Sequence, residues 1–296
     1  MTKSNPTTIL ITGATGTVSS GVIAALARRP GLRLRALVRD EGKAAPLRAQ
    51  GIEVVRGDLD DANTLAPAFD GVEALWLLTV PGPRAPEHSM NLVWAARQAG
   101  VQRVLRMSAI GAAPDAPTRN GRLHALSDHE VMVSGMQWTI LKPHFFMQNL
   151  LASAGSIAGQ GALYYAFGEG RLGLVDTRDV AEFAARVLVE PEGHAGKTYT
   201  VTGPDTLSGS DMGRILGTAL GRPVQYVPVP LESARAAMLA LGTSTWIADM
   251  LVEYSRAYAD GWGDFVTRDF PRLMQRPARG LAEFAADHSR AFSAAA

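Results

Sequence analysis

The sequence predicts an α/β fold, a doubly wound parallel sheet with a smaller, mostly helical C-terminal subdomain. Three observations lead to this prediction. Short apolar runs typical of buried strands alternate with helix patterns through the first half of the chain. A glycine-rich turn joins the first apolar run to the first helix. After Pro143 the alternation becomes less regular and helix patterns predominate.

The first half of the chain contains six predicted strands with helices between them. The strands are residues 9–11, 32–39, 52–55, 72–79, 101–108 and 138–141. The first predicted helix ends at residues 28–30, and others cover 43–50, 87–99 and 123–134. A further helix is capped at 60 or 61 and runs to 69. Alternation at this spacing requires βαβ crossovers, so the strands are parallel and helices cover both faces. This is the Rossmann arrangement, in which ligands bind beyond the carboxyl ends of the strands.

The second half predicts fewer regular elements. Helices are expected at 149–158, 177–189 and 281–292, short strands at 172–175, 198–201 and 224–227, and a glycine-rich aromatic loop at 159–170. We therefore assign residues 1–154 to the dinucleotide-binding domain, with 171–206 returning to it. Residues 155–170 and 207–296 are expected to form the substrate-binding subdomain.

Composition excludes several classes of function. Of 296 residues, 47% are hydrophobic and 19% are charged, and the net charge is +1, which is typical of a globular protein without a nucleic-acid surface. The chain has no cysteine, so disulfides and thiolate chemistry are excluded. No spacing suggests a metal site, and no run is long enough to span a membrane. We expect a cytoplasmic protein with a small-molecule substrate; the sequence leaves a homodimer open.

The turn after the first strand predicts a phosphate-binding site. Gly13 permits the turn, and Gly16 allows the backbone to approach a pyrophosphate closely. Unpaired N–H groups at the start of the following helix point toward the same place. We expect the cofactor to bind residues of this turn, namely Gly13, Thr15, Gly16, Thr17 and Val18.

Other candidate residues follow the ends of the parallel strands, where ligands of such sheets bind. Arg39 follows the second strand, where a cation favours the 2′-phosphate of NADP and an acid favours NAD. Lys43 could add a second cation, although Asp40 and Glu41 lie between. We predict that NADPH is preferred, with NAD as the alternative cofactor. The remaining candidates at strand ends are Asp58, Leu59, Thr79, Val80, Ser108 and Pro143.

Motifs along nearly the whole chain resemble those of one family. They are Thr12–Gly16, Ala36–Arg39, Gly57–Leu59, Arg106–Ala109, Thr139–Pro143, Phe145–Asn149, Asp179–Ala181 and Tyr199–Pro204. In this order they resemble the NmrA-like, atypical short-chain dehydrogenases/reductases, a group that includes quinone, azo-dye and triphenylmethane reductases. The resemblance implies NAD(P) binding and places Asp58 beside the adenine. Ser19 stands where relatives carry a third glycine, and it could loosen the packing or offer a hydroxyl to the phosphate.

The residues expected to donate a proton are incomplete. Typical members of the wider group use a serine with a Tyr-x-x-x-Lys pair, and Ser108 matches the serine. Neither Tyr nor Lys occurs from 109 to 135; counted from Glu130, their places hold about Arg122 and Leu126. His144 and His124 are the candidate replacement acids, since histidine titrates near neutral pH.

The sequence therefore favours an NAD(P)H-dependent oxidoreductase that acts on a small conjugated or quinone-like acceptor without the usual Tyr–Lys dyad. A non-catalytic NAD(P) sensor that binds a protein partner is the first alternative, and a nucleotide-sugar epimerase is the second. Aromatic side chains of the second half could line an acceptor pocket, namely Phe145, Phe146, Tyr164, Tyr165 and Phe167.

Overall fold

A computed structural model describes residues 6–293 of the chain. Its strands are β1 Thr7–Ile11, β2 Leu32–Val38, β3 Glu53–Arg56, β4 Ala74–Leu77, β5 Arg103–Met107, β6 Gln137–Pro143, β7 Ala162–Tyr165, β8 Arg171–Leu172, β9 Lys197–Val201, β10 Leu207–Ser208 and β11 Gln225–Pro228. Its helices are α1 Thr17–Leu26, α2 Ala45–Ala49, α3 Ala66–Phe69, α4 Ala85–Gln98, α5 Arg119–Met132, α6 Ala154–Gln160, α7 Thr177–Val189, α8 Gly209–Leu220, α9 Leu231–Ala240, α10 Thr245–Ala259, α11 Asp269–Met274, α12 Leu281–Asp287 and α13 Ser289–Phe292. Short 3-10 segments occur at Glu41–Lys43, Ala62–Thr64 and Met147–Ser153.

The main sheet has seven strands in the order β3-β2-β1-β4-β5-β6-β9. The pairings among β1 to β6 are parallel, with Ile11 opposite Ala36 on one side and Trp76 on the other. The predicted α/β class and doubly wound sheet are confirmed. The strand order reverses between β1 and β4, and in doubly wound sheets the crevice at such a point binds the ligand.

The chain divides into two compact units. One comprises the chain up to Pro114 with Leu123–Lys142 and Val180–Tyr199; the other comprises Asp115–Arg122, Pro143–Asp179 and the chain from Thr200 onward. Strand β4 of the first unit is buried at every residue, as expected for a strand covered on both faces. The second unit has its own apolar core, built from Met147 to Phe292. The assignment of substrate binding to residues 155–170 and 207–296 stays a prediction.

Several predicted elements of the second half differ from the structure. The segment predicted as a loop at 159–170 contains β7, which pairs in parallel with β11, so that Leu163 lies opposite Tyr226. The helix predicted at 149–158 is a 3-10 segment followed by the shorter α6. The last helix, predicted at 281–292, is interrupted at His288, which ends α12 and precedes α13. Strand β7 has no local signal, because its partner lies about sixty residues away in the chain.

Helix α5 begins earlier than residue 123, the predicted start. The Thr118 hydroxyl accepts a hydrogen bond from the Gly121 amide at 3.0 Å, which caps the first turn and starts the helix at Arg119. The early start adds a turn before His124.

The aromatic side chains predicted to line a pocket pack mainly with one another in the second unit. Phe145 lies edge-on to Tyr165, and Tyr165 packs against Phe167. Phe167 is 1% exposed and stacks on Tyr226, so it belongs to the core. Tyr164 is exposed. Phe145, Phe146 and Tyr165 are half-buried, so an acceptor pocket lined by these side chains stays a prediction.

Candidate functional site: a dinucleotide crevice and a buried polar cluster

The glycine turn joins β1 to α1 at the point where the strand order reverses. Gly13 adopts a φ of +60°, which side-chain-bearing residues rarely adopt, and its carbonyl accepts a hydrogen bond from the Gly16 amide at 2.8 Å. Gly16 precedes the helix, and no side chain caps the N-terminus of α1. The first-turn amides at Thr17 and Val18 therefore keep their N–H groups available to an anion.

Ser19, which replaces a third glycine, has a structural role. It is fully buried; its hydroxyl donates to the Thr12 carbonyl at 2.9 Å and accepts from the Trp76 indole N–H at 2.9 Å. The hydroxyl thus joins α1 to β1 and β4 and is not directed at a phosphate. Close helix packing occurs instead at Gly21, where a Cβ atom would lie 2.8 Å from that of Ala181.

A cleft of about 390 Å³ opens beside the glycine turn. Its lining includes Gly13 and Thr15 from the turn and Arg39 and Lys43 from the segment after β2. The acids near these cations are already engaged: the Asp40 carboxylate accepts from the Gly42 amide at 2.9 Å, and Glu41 pairs with Arg48 at 2.8 Å. Within residues 6–293, neither Arg39 nor Lys43 has an ion-pair partner. Arg39 and Lys43 thus face the cleft without a direct ion pair, in a lining that also contains Asp40, Asp58 and Asp60.

The opposite part of the cleft comes from the segment after β3. Asp58 and Leu59 both line it. The Asp58 carboxylate accepts from the Asp60 amide at 3.0 Å, so it also shapes its own loop. The Leu59 carbonyl accepts from the Asn91 side chain at 2.8 Å, which ties this segment to α4.

The end of β4 leaves a polar atom without a partner. The Thr79 hydroxyl is buried and, among the residues that the structure describes, has no hydrogen-bond partner. Val80, which follows, lines the cleft and is 71% exposed. A buried polar atom without a partner is costly, so Thr79 fits a site that a ligand completes. The glycine turn, the two cations and Thr79 together suit an elongated, anionic ligand such as a dinucleotide.

The structure brings most of the predicted cofactor residues together. The cleft is lined by Gly13, Thr15, Arg39, Lys43, Asp58, Leu59 and Val80. Gly16, Thr17 and Val18 form the adjacent turn and helix start. Pro143 is a buried residue at the end of β6, and Ser108 belongs to a separate polar cluster at the end of β5. Among the described residues there is no group of three or more side chains able to hold a metal ion.

The hydroxyl of Ser108 donates to the Asp128 carboxylate at 2.7 Å, and both side chains are buried. Asp128 also accepts from Arg106 Nε at 3.1 Å, and Arg106 is fully buried. The buried Arg106 guanidinium and the buried Asp128 carboxylate form an ion pair, so removing either side chain would leave the other charge unpaired. The Ser108 proton is therefore directed to a carboxylate and is not free for donation.

His124 belongs to the same cluster but is neutral. Its Nδ1 lies 3.2 Å from Arg106 Nη2, which can only donate, so the ring proton sits on Nε2. Burial, together with the cations of Arg106 and Lys142, lowers the pKa of His124 to about 3. At neutral pH His124 is therefore not an imidazolium and does not act as an acid.

His144 is held on both ring nitrogens. Its Nδ1 accepts from the Phe145 amide at 2.7 Å, and Nε2 donates to the Gly263 carbonyl at 3.0 Å. Burial lowers the pKa of His144 to about 4, against the opposing effect of that carbonyl. The ring packs against Tyr258 and Phe265. This geometry argues for a structural role and against His144 as a proton donor.

Sequence reasoning missed the residues that organise Ser108. The acid that contacts it is Asp128, not Glu130, which served as the reference for locating the absent dyad. A signal was available: His124 and Asp128 are four residues apart and share one face of α5. Lys142 also belongs to this cluster, with its Nζ 3.6 Å from Asp128 Oδ2. It lies outside residues 109–135, the segment in which the lysine of the Tyr-x-x-x-Lys pair is expected.

Residues 13–191 match the family described as NAD(P)H-binding. The chain is 40% identical over 287 residues to an NAD(P)H azoreductase of Xenophilus azovorans, covering 97% of this chain and 100% of that protein. The chain belongs to this NAD(P)H-binding family. It is an NAD(P)H-dependent oxidoreductase, and the resemblance inferred from its motifs is confirmed.

Two solved structures extend the comparison. An Escherichia coli NADPH-dependent quinone oxidoreductase complexed with NADPH matches with a TM-score of 0.86 and 30% identity, over 94% of this chain and 99% of that one. A Citrobacter sp. triphenylmethane reductase complexed with NADP(H) matches with a TM-score of 0.83 and 26% identity, over 95% and 99%. Among the described residues, no helix of the oxidoreductase is long and apolar enough to cross a membrane.

Proposed function

We propose that the protein is an NADPH-dependent reductase of small conjugated acceptors, namely quinones and dyes, and that it works without a dedicated acid. The observation that carries this proposal is the direction of the Ser108 proton, which Asp128 holds at 2.7 Å. The two histidines considered as replacement acids are neutral and are engaged in internal hydrogen bonds. Neither Tyr nor Lys occurs from 109 to 135.

The chemistry of the acceptor decides whether an acid is needed. When bound, the reduced nicotinamide supplies a hydride. A simple ketone that receives it becomes a strongly basic alkoxide, for which a positioned acid contributes about 10²–10⁴-fold. A quinone becomes a phenolate-like anion, whose conjugate acid has a pKa near about 10 by analogy with tyrosine. A cationic dye is simply neutralised. A site that positions the acceptor without protonating it thus suits the last two classes.

Binding of the cofactor is assigned to the crevice at the switch point. The turn amides at Thr17 and Val18 would hold the pyrophosphate, and Arg39 with Lys43 would pair with the 2′-phosphate. Asp58 and Leu59 would border the adenosine. The preference for NADPH rests on these two cations, neither of which forms a direct ion pair within residues 6–293.

The relatives support the same class of acceptor. The names of the three compared proteins specify an azo, a quinone and a triphenylmethane substrate class. Each of these acceptors is conjugated. The proposal further assigns acceptor binding to residues 155–170 and 207–296 and places the enzyme in the cytoplasm.

The test is a panel of acceptors at neutral pH, with NADPH oxidation as the readout. We expect turnover of quinones and cationic dyes and little turnover of unactivated ketones. Ser108→Ala should lower turnover of the favoured acceptors only modestly, and His144→Ala should act through stability. Efficient ketone reduction that either substitution abolishes would contradict the proposal. Cofactor binding without turnover of any acceptor would favour the sensor hypothesis instead.

A further inference from the structure

Lys142 lies at the functional edge of the sheet. It is the penultimate residue of β6, and the preceding carbonyl, that of Leu141, accepts from the Ser108 amide at 2.8 Å. Lys142 and Ser108 therefore occupy neighbouring strand ends in the first unit. Ligands of doubly wound sheets bind beyond this edge.

The cluster around Ser108 carries more positive than negative charge. Arg106 and Lys142 are its cations and Asp128 is its carboxylate; Lys142 Nζ lies 3.6 Å from Asp128 Oδ2. Since Arg106 already bonds Asp128 through Nε and His124 is neutral, one positive charge in the cluster is uncompensated.

Lys142 is the member of the cluster that can act on a ligand. Its side chain is 17% exposed, whereas that of Arg106 is 0% exposed. In the part of the chain that the structure describes, its hydrogen-bond acceptor is the Ala112 carbonyl at 2.7 Å. An ammonium has three N–H donors, so donors remain for a ligand.

We propose that Lys142 is a specificity-determining residue that selects acceptors by the charge they acquire on reduction. The inference rests on the proposed function. It favours acceptors that become anions, such as quinones, over acceptors that enter as cations. A fixed cation in a partly desolvated site stabilises an anion as it forms and repels a cation as it binds.

The reaction balances for both classes of acceptor. A quinone would receive the hydride at one of its oxygens, so that an O–H bond forms as a C–H bond of the reduced nicotinamide breaks. The resulting hydroquinone monoanion takes its proton from water. A cationic triarylmethane dye would receive the hydride at its central carbon, where a C–H bond forms. The dye becomes neutral and needs no proton. In both cases the nicotinamide is the group oxidised. Lys142 contributes only charge and hydrogen bonds.

The experiment compares kcat/KM for one neutral quinone and one cationic triarylmethane dye. The variants are Lys142→Met, Lys142→Arg and the control Lys197→Met, which alters an exposed lysine at the start of β9. We expect Lys142→Met to lower the quinone-to-dye ratio by about tenfold or more. Lys142→Arg keeps the charge and should keep the ratio within about threefold. Lys197→Met should leave the ratio unchanged.

A purely structural role would give a different result. If Lys142→Met reduces both acceptors by the same factor, or leaves the ratio within about twofold of wild type, the inference is overturned. Should the Met variant fail to fold, Lys142→Gln is measured in its place against the same criterion. The two proposals fail in different ways. If the wild-type protein turns over neither acceptor, the proposed function is refuted. If wild type turns over both and Lys142→Met leaves the ratio unshifted, only the role of Lys142 is refuted.

Discussion

Replacing Arg39 by Ala tests how the cleft chooses its cofactor. Arg39 and Lys43 face the cleft, and neither forms a direct ion pair among residues 6–293. A hydrogen bond to a charged group contributes about 1.5–3 kcal/mol. Because Arg39 is exposed, screening by solvent places its contribution at the lower end, about 1.5 kcal/mol, or about tenfold in affinity. Arg39→Ala should therefore weaken NADPH binding by about tenfold and leave NADH binding nearly unchanged.

The assay is a fluorescence titration of both cofactors against wild type, Arg39→Ala and the control Arg28→Ala, an exposed arginine outside the cleft lining. Lys43→Ala should reduce the preference further in the double variant. Since both cations are exposed, the preference should also fall with salt, as the Debye length shrinks from about 10 Å at 0.1 M to about 3 Å at 1 M. Equal wild-type affinities for NADPH and NADH, or an unchanged preference in Arg39→Ala, would refute the reasoning.

Three other substitutions test the turn, its packing and the buried histidine. Gly16→Val should abolish cofactor binding by placing a branched side chain at the turn, while Gly82→Val, whose Cβ would meet no atom within 4 Å, should bind normally in the same titration. Ser19→Ala leaves a buried indole N–H without its acceptor and should lower the free energy of unfolding by about 1–3 kcal/mol in urea denaturation; an unchanged midpoint would contradict this assignment. Burial lowers the pKa of His144 in the folded state to about 4, so the unfolded state binds more protons. The contribution of His144 to the free energy of unfolding is therefore complete above about pH 6.5 and is lost as the pH falls toward 4. At pH 5 the loss is about 2 kcal/mol. His144→Gln should flatten the loss of stability between pH 7 and pH 5, and the exposed His129→Gln should not; equal pH dependence in both would show that His144 is not the titrating group.

The sequence by itself determined the features that depend on neighbours in the chain. Apolar runs at strand spacing and the crossovers between them required the parallel sheet. Gly13 and Gly16 identified the turn, because glycine adopts positive φ without strain and permits close backbone approach. Arg39 could be placed at the second strand end by counting residues. Local pattern was sufficient in each case.

Only the tertiary structure decided the features that depend on distant partners. Whether the Ser19 hydroxyl meets a phosphate or the core was settled by Trp76, which lies 57 residues away. The direction of the Ser108 proton was set by Asp128 from the next helix, and the engagement of His144 by Gly263, 119 residues away. A hydroxyl or an imidazole can donate or accept, and its partners choose between the two roles. Those partners are brought together by packing of the folded chain, so residue type and local spacing alone do not reveal the choice.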